Sequence, residues 1–465
     1  MGRFRVLLAV AVAVLVCGGA ASAAGTATQE LTITVSDGTK LACGLVLPAG
    51  SAPADGWPGV LLFHGLGQNH QSMETIASAA LAPAGFASLM CDARGTGASG
   101  GAWGLDGPSD VQDVRDLFNY LAARSDVSDT QIGGFGLSLG GGAVWNAAVA
   151  GVPFKAIVPA ITWTDLGAAL NPNAVPKSGE IAQLASVIPT SRWDPSLLQA
   201  GSDLLNGSVS AMVKSTEAAR SSRTSLHSLT VPTLLLQGRH DFLFDIDQAL
   251  AAYRLLAGPK RLYVGDLGHP PATNPSAELP TYLGEAVAWF EKYVVGNEEG
   301  PPSGVELAHD PWDGTTTKYQ GPPPTRRMSV NLPGTKKLAT TSASTSRSVR
   351  LTGGPLETFG DGSVTVRYSG AQRSWVRLVA TVGVKGSSTP VTFGAALLKK
   401  ASGVLRIPLS DQAVFLPRGK RLVVTVGGET AAGVYQQPSL SVGTGSITIR
   451  RVTLNLSLLK KTVSR

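Results

Sequence analysis

The residues Gly136-Leu137-Ser138-Leu139-Gly140 set one serine between two glycines, each two positions away. This is the spacing of a nucleophile held on a tight turn from a strand into a helix, where side chains at the glycine positions would collide with neighbouring backbone. A glycine-dense run can also be a phosphate-cradling loop or a plain small-residue turn. The phosphate loop is excluded because it needs a lysine after its last glycine, and Gly140-Gly141-Gly142 is followed by Ala143. A nominal dinucleotide fingerprint, Gly95-Thr96-Gly97-Ala98-Ser99-Gly100, runs on into Gly101-Ala102-Trp103-Gly104 and Gly107-Pro108 instead of opening a helix, so no cofactor is expected.

A nucleophilic serine needs a base, an acid to orient that base, and donors for the oxyanion, with chain order Ser, acid, His in an α/β sheet of this kind. The apolar run TLLLQG (233–238) leads into Arg239-His240-Asp241, and RLYVGD (261–266) leads into Leu267-Gly268-His269. Asp241 and His269 thus fall in loops at the carboxyl ends of successive strands, where ligands gather in open α/β sheets. The chemistry this points to is acyl transfer, with Ser138 as nucleophile, His269 as base and Asp241 as acid.

Rivals are few, because the chain has only 6 histidines. His240 adjoins the proposed acid and would point elsewhere, while His70, His227 and His309 follow no evident strand end. Asp245 and Asp247 sit where a carboxylate favours the start of the helix DQALAAYRLL. Phe63-His64-Gly65-Leu66 follows the run GVLL, so the backbone N–H groups of Leu66 and Leu139 are the expected oxyanion donors and His64 a structural bracket. No H-E-x-x-H motif or Cys/His cluster of ligand spacing is present, so no metal is expected. Asp110, Asp113 and Asp116 read as a solvated helix face.

The elements that must position these residues repeat as strand, turn, helix. GVLLFHG (59–65), FASLMCDARG (86–95), QIGGFGLS (131–138), AIVPAITW (156–163), TLLLQG and RLYVGD alternate with helical stretches such as Val111 to Arg124 and Gln248 to Leu256. That is an α/β domain around a mostly parallel sheet, preceded by a hairpin from LTITVSDG and KLACGLVLP. Residues 164–230 lack clear strands and read as a helical cap inserted into a catalytic domain of residues 24–299. Residues 300–327, rich in Pro, Gly and Thr, read as a linker or an ordered crossing segment. Residues 328–465 alternate apolar and polar in short runs and read as a β-sandwich or jelly-roll.

Charge divides the chain the same way. Residues 301–465 carry 22 Lys and Arg against 7 Asp and Glu, and the first 300 carry 17 against 25. The basic residues are scattered among strands without interleaved aromatics, so nucleic acid is not an expected partner, whereas contact with an anionic polymer or surface is compatible with them. Residues 1–23 have a basic start, an apolar run from Val6 to Val16, and Ala21-Ser22-Ala23, the layout of an export signal, so a secreted protein without a membrane span is expected. An oxidising destination permits a Cys43–Cys91 disulfide, with two buried thiols as the alternative.

The combination HGLGQN, DARGTGASGG, GFGLSLGG, GRHDFLFDIDQA and GHPPA, followed by a basic β-rich tail, resembles the α/β-hydrolases grouped as X-prolyl dipeptidyl-peptidases and cocaine-esterase-like acyl hydrolases. The resemblance spans nearly the whole mature chain. It implies an α/β-hydrolase fold with a helical cap and a C-terminal jelly-roll, and a triad of Ser138, Asp241 and His269. The chain departs from better-known members in having Leu139 after the nucleophile and Gly65-Leu66-Gly67 where they carry a tyrosine. Taken together, the residues lead to a secreted serine hydrolase that cleaves an ester or amide, with a carboxylesterase-type substrate ahead of an X-Pro dipeptide. The alternative from another class is a non-catalytic polymer- or wall-binding protein.

Overall fold

The computed structural model describes residues 28–352, 354–429, 433–435 and 443–460, so the proposed export signal lies outside the described residues. A ten-stranded sheet forms the body, in the order β1-β2-β4-β3-β5-β6-β7-β8-β9-β10. Its strands are β1 Gln29–Thr34, β2 Lys40–Val46, β3 Trp57–Phe63, β4 Ala87–Cys91, β5 Val127–Leu137, β6 Ile157–Ala160, β7 Thr233–Gly238, β8 Lys260–Gly265, β9 Gly304–Ala308 and β10 Thr316–Tyr319. β4, β3 and β5 through β9 run parallel. β1 and β2 form the antiparallel hairpin at one edge, and β10 returns antiparallel on β9 at the other. The central strands are apolar on both faces because helices cover both sides: one core gathers Leu61, Leu89, Ile132, Leu235 and Leu262, the other Val60, Leu62, Phe135, Leu234 and Leu236.

Residues 300–327 are not a linker. Their Pro and Gly content masks GVELA, which is β9, buried at every position beside β8. Arg261 of β8 pairs there with Glu306 and Glu285, so the sheet is closed by charge as well as by backbone pairing.

Between β6 and β7 the chain leaves the sheet and forms helices Leu166–Leu170, Ser178–Ala185, Pro195–Leu205 and Ala211–Ala218. They enclose an apolar cluster of their own with Trp103, Leu139, Trp163 and Phe244. From Thr325 onward two antiparallel sheets, of six and four strands, share a core that includes Val364, Val366, Val382, Val424, Ile449 and Leu454. Cys43 and Cys91 face each other across β2 and β4 and are joined as a disulfide.

Candidate active site

Ser138 stands between the end of β5 and the helix Leu139–Val149, with φ 52° and ψ −112°. A positive φ at a non-glycine residue is strained and persists only where the surroundings over-determine it. Here they do. The Ser138 N–H donates to the Ala160 carbonyl at 2.9 Å, and its own carbonyl accepts from the Thr162 hydroxyl at 2.7 Å and the Gly141 N–H at 3.0 Å. The flanking glycines are required by contact: a Cβ on Gly136 would strike the Gly140 backbone, and one on Gly140 would strike the Phe63 carbonyl.

His269 follows β8 and Asp241 follows β7, so both reach Ser138 from the carboxyl edge of the sheet. Ser138 Oγ lies 2.8 Å from His269 Nε2, and His269 Nδ1 lies 2.8 Å from Asp241 Oδ2. Asp241 is fully buried. Its Oδ1 accepts the N–H groups of Leu243 and Phe244, and its Oδ2 accepts the His269 N–H, all at 2.9 Å. With three backbone N–H groups facing it, the carboxylate is an acceptor; Nδ1 keeps its proton, and the lone pair on Nε2 faces the serine hydroxyl. Phe244 packs edge-on against the imidazole with ring centroids 5.2 Å apart.

The N–H groups of Leu66 and Leu139 have no hydrogen-bond partner among the described residues. His64 braces the first of these loops. It accepts the Ala93 N–H on Nε2 at 3.0 Å, which leaves Nδ1 protonated to donate to the Gly65 carbonyl at 2.8 Å, and burial lowers its pKa. The other histidines lie apart from the triad. His240 turns to the Pro390 carbonyl and His70 to Asp92, while His309 follows β9 directly and bonds Asp313 and Thr317. Asp245 accepts from Ser410 and Asp411, and Asp247 pairs with Arg223.

The DARGTGASGG stretch is scaffold. Asp92 accepts the His70 and Ala98 N–H groups at 2.7 Å, and Gly97 sits where a Cβ would strike the Asp92 carboxylate. Arg94 forks onto Asp113 at 2.6 and 2.5 Å. Asp110 and Asp113 are therefore buried, which corrects the solvated face read from the sequence; only Asp116 of the three stays outside the core. Burial, with the Asp113 charge, pushes Asp110 up to about 7, and burial beside Asp110 raises Asp106 well above the ordinary carboxylate range.

Several residues at the site carried no signal in the sequence. Arg239, fully enclosed, donates to the Ala413 carbonyl at 2.8 Å and pairs with Glu357, tying the acid loop to the C-terminal unit. Gln412 reaches the same loop. Beside Ser138 opens a pocket of about 840 Å³, mouth included, walled by Trp103, Trp163, Trp193, Phe244 and a set of leucines from the helices between β6 and β7. Glu217 is the one carboxyl in its wall, held by Asn171 and raised in pKa by burial. Among the described residues, no group of three or more His, Cys, Asp or Glu could hold a metal ion, and no helix is long and apolar enough to cross a membrane.

A family model described as X-Pro dipeptidyl-peptidase (S15 family) matches residues 37–271, a span that holds Ser138, Asp241 and His269. The chain belongs to this family. S15 membership makes it a hydrolase, and the fold agrees with structures of similar proteins. A CocE/NonD family hydrolase from Staphylococcus aureus superposes with TM-score 0.70 at 13% identity, covering 93% of each chain. An aminopeptidase from a marine sediment archaeon, Thaumarchaeota archaeon, gives 0.67 at 12% identity over 93% of this chain and 96% of that one. An α-amino acid ester hydrolase gives 0.64 at 13% identity over 95% and 98%. At such identities the likeness is one of fold. A curated Escherichia coli relative, an uncharacterized 31.7 kDa protein of the traX-finO intergenic region, is 31% identical over 109 residues, 23% of this chain and 38% of its own length.

Proposed function

We propose that the protein is an exported serine esterase whose substrates carry an apolar, uncharged acyl group. The observation that carries this is the apolar pocket that opens on Ser138. An ammonium group placed there would lose its hydration, and the one wall carboxyl, Glu217, already accepts a hydrogen bond from Asn171 on Oε1. In this reading His269 takes the Ser138 proton as Oγ attacks the ester carbonyl, and the free N–H groups of Leu66 and Leu139 hold the oxyanion. The imidazolium then protonates the leaving alcohol, and water releases the acid by the same steps in reverse. Esters ask less of the leaving group than amides do. The Cys43–Cys91 disulfide supports an oxidising location.

An X-Pro dipeptidyl-peptidase is the second reading, favoured by Glu180. Its Oε2 is buried without a partner, and Asp241 and His269 lie near enough to influence its carboxyl electrostatically. Such a carboxylate could receive a substrate's free amine.

The test is a fluorophosphonate probe followed by intact mass, then a panel of p-nitrophenyl alkanoates beside X-Pro p-nitroanilides. The reading requires one adduct on Ser138, none on Ser138→Ala, and turnover of the alkanoates. No adduct on folded protein would remove it.

A further inference from the structure

Three indoles stand in the wall of the pocket beside Ser138, and their N–H groups are not equivalent. Trp163 Nε1 donates to the Arg220 carbonyl at 2.7 Å, and Trp193 Nε1 donates to the Ile188 carbonyl at 2.9 Å. Trp103 is only 5% exposed, and its Nε1 is buried with no hydrogen-bond partner.

The backbone of Trp103 is held in place on both sides. The Trp103 N–H donates to the Arg192 carbonyl at 2.7 Å, and its carbonyl accepts the Asp194 N–H at 2.8 Å, so the residue is stitched on both sides to the segment that carries Trp193. The two rings then pack edge to face, 5.4 Å apart. A buried donor left unmade is costly, and phenylalanine would supply the same apolar wall without the cost. The donor is therefore best explained by an acceptor that arrives with the substrate. A site built around such a donor also discriminates, because an isostere lacking the acceptor leaves the N–H unpaired.

We propose that Trp103 is a specificity-determining hydrogen-bond donor: the pocket takes an acyl group that is apolar along its length but carries one acceptor oxygen, an ether or a carbonyl, placed to meet the indole N–H. The inference rests on the ester reading above and narrows it. Apolar walls hold the chain, and the free indole N–H of Trp103 fixes how far along it the oxygen must lie.

The test is a positional scan. p-Nitrophenyl esters of one chain length, with the oxygen replacing each successive methylene, are compared by kcat/KM in the wild type and in Trp103→Phe. One oxygen position should exceed its neighbours by about fivefold in the wild type, and that peak should vanish from the ratios in the variant whatever its absolute rates. A flat wild-type profile overturns the proposal. A peak that survives in Trp103→Phe overturns it too, since another group then reads the oxygen. Calorimetric binding of the matching alkyl and oxa-alkyl methyl ketones to Ser138→Ala makes the same comparison without turnover. Failure of every ester to react would thus sink the esterase reading while the Trp103 inference is still decided by binding.

Discussion

Gln412 Nε2 donates to the carbonyl of Asp241 at 2.9 Å, joining residues 171 positions apart. The donor comes from the C-terminal unit and the acceptor belongs to the acid that orients His269. Arg239 reinforces the same junction, with its own carbonyl accepting the Ala413 N–H at 2.8 Å. The β-rich unit therefore helps to fix the acid loop rather than merely following it in the chain. Gln412→Ala should lower kcat by about tenfold with little change in KM, because a positioning contact acts on the reacting geometry and not on the pocket. It should also slow fluorophosphonate labelling of Ser138. Equal labelling rates in variant and wild type would show that the loop holds without this bond.

The strand-and-loop rhythm made Ser138, Asp241 and His269 readable from sequence, because each follows an apolar run at the edge where a parallel sheet presents its loops. Long-range pairing was not readable. GVELA looks like part of a Pro- and Gly-rich crossing until β8 is seen to pair with it. Asp110 and Asp113 look solvated until Arg94, from the loop after β4, is seen to neutralise one of them. The pocket walls were equally hidden. Trp103, Trp163 and Trp193 come from three separate segments, and only their convergence gives them a role.

Asp110 gives stability a pH dependence with a definite sign. Its pKa rises from 3.8 to about 7 on folding because it is buried near Asp113. A carboxyl raised in this way contributes most when protonated in both states. As pH rises from about 4 to about 7 the unfolded chain releases its proton first, so the contribution is lost across that window. Asp110→Asn keeps an oxygen for the Gly107 N–H that Asp110 now accepts at 3.0 Å, and it cannot ionise. The fall in melting temperature between pH 5 and pH 8 should be smaller in this variant than in the wild type. Parallel pH profiles for the two proteins would contradict the assignment.

The disulfide makes a separate claim on stability. Cys43 and Cys91 close a loop with a sequence separation of 48 between the edge hairpin and the first parallel strands. Loop-closure entropy for that length corresponds to about 4 kcal/mol, and measured losses commonly fall in the range of about 2–4 kcal/mol. Denaturant unfolding of the Cys43→Ser/Cys91→Ser variant should show a loss of this order, matched by the wild type under reductant. An unchanged midpoint in reductant would mean that the bridge contributes little.

Glu180 decides between the two substrate classes. It occupies the first turn of the helix Ser178–Ala185, and burial raises its carboxyl pKa, with Asp241 adding to the rise and Lys177 and His269 opposing it. If substrates present a neutral acyl group, no ammonium reaches this carboxyl. The ratio of kcat/KM for alkanoyl esters to that for α-amino esters should then stay within about twofold in Glu180→Gln, with X-Pro p-nitroanilides poor substrates of both proteins. If the carboxyl holds a free amine, removing its charge should cost α-amino substrates about tenfold or more while alkanoyl esters are spared. That selective loss would transfer the assignment from esterase to dipeptidyl-peptidase. Neutral Gln fills nearly the same volume as Glu, so the comparison reads charge rather than packing.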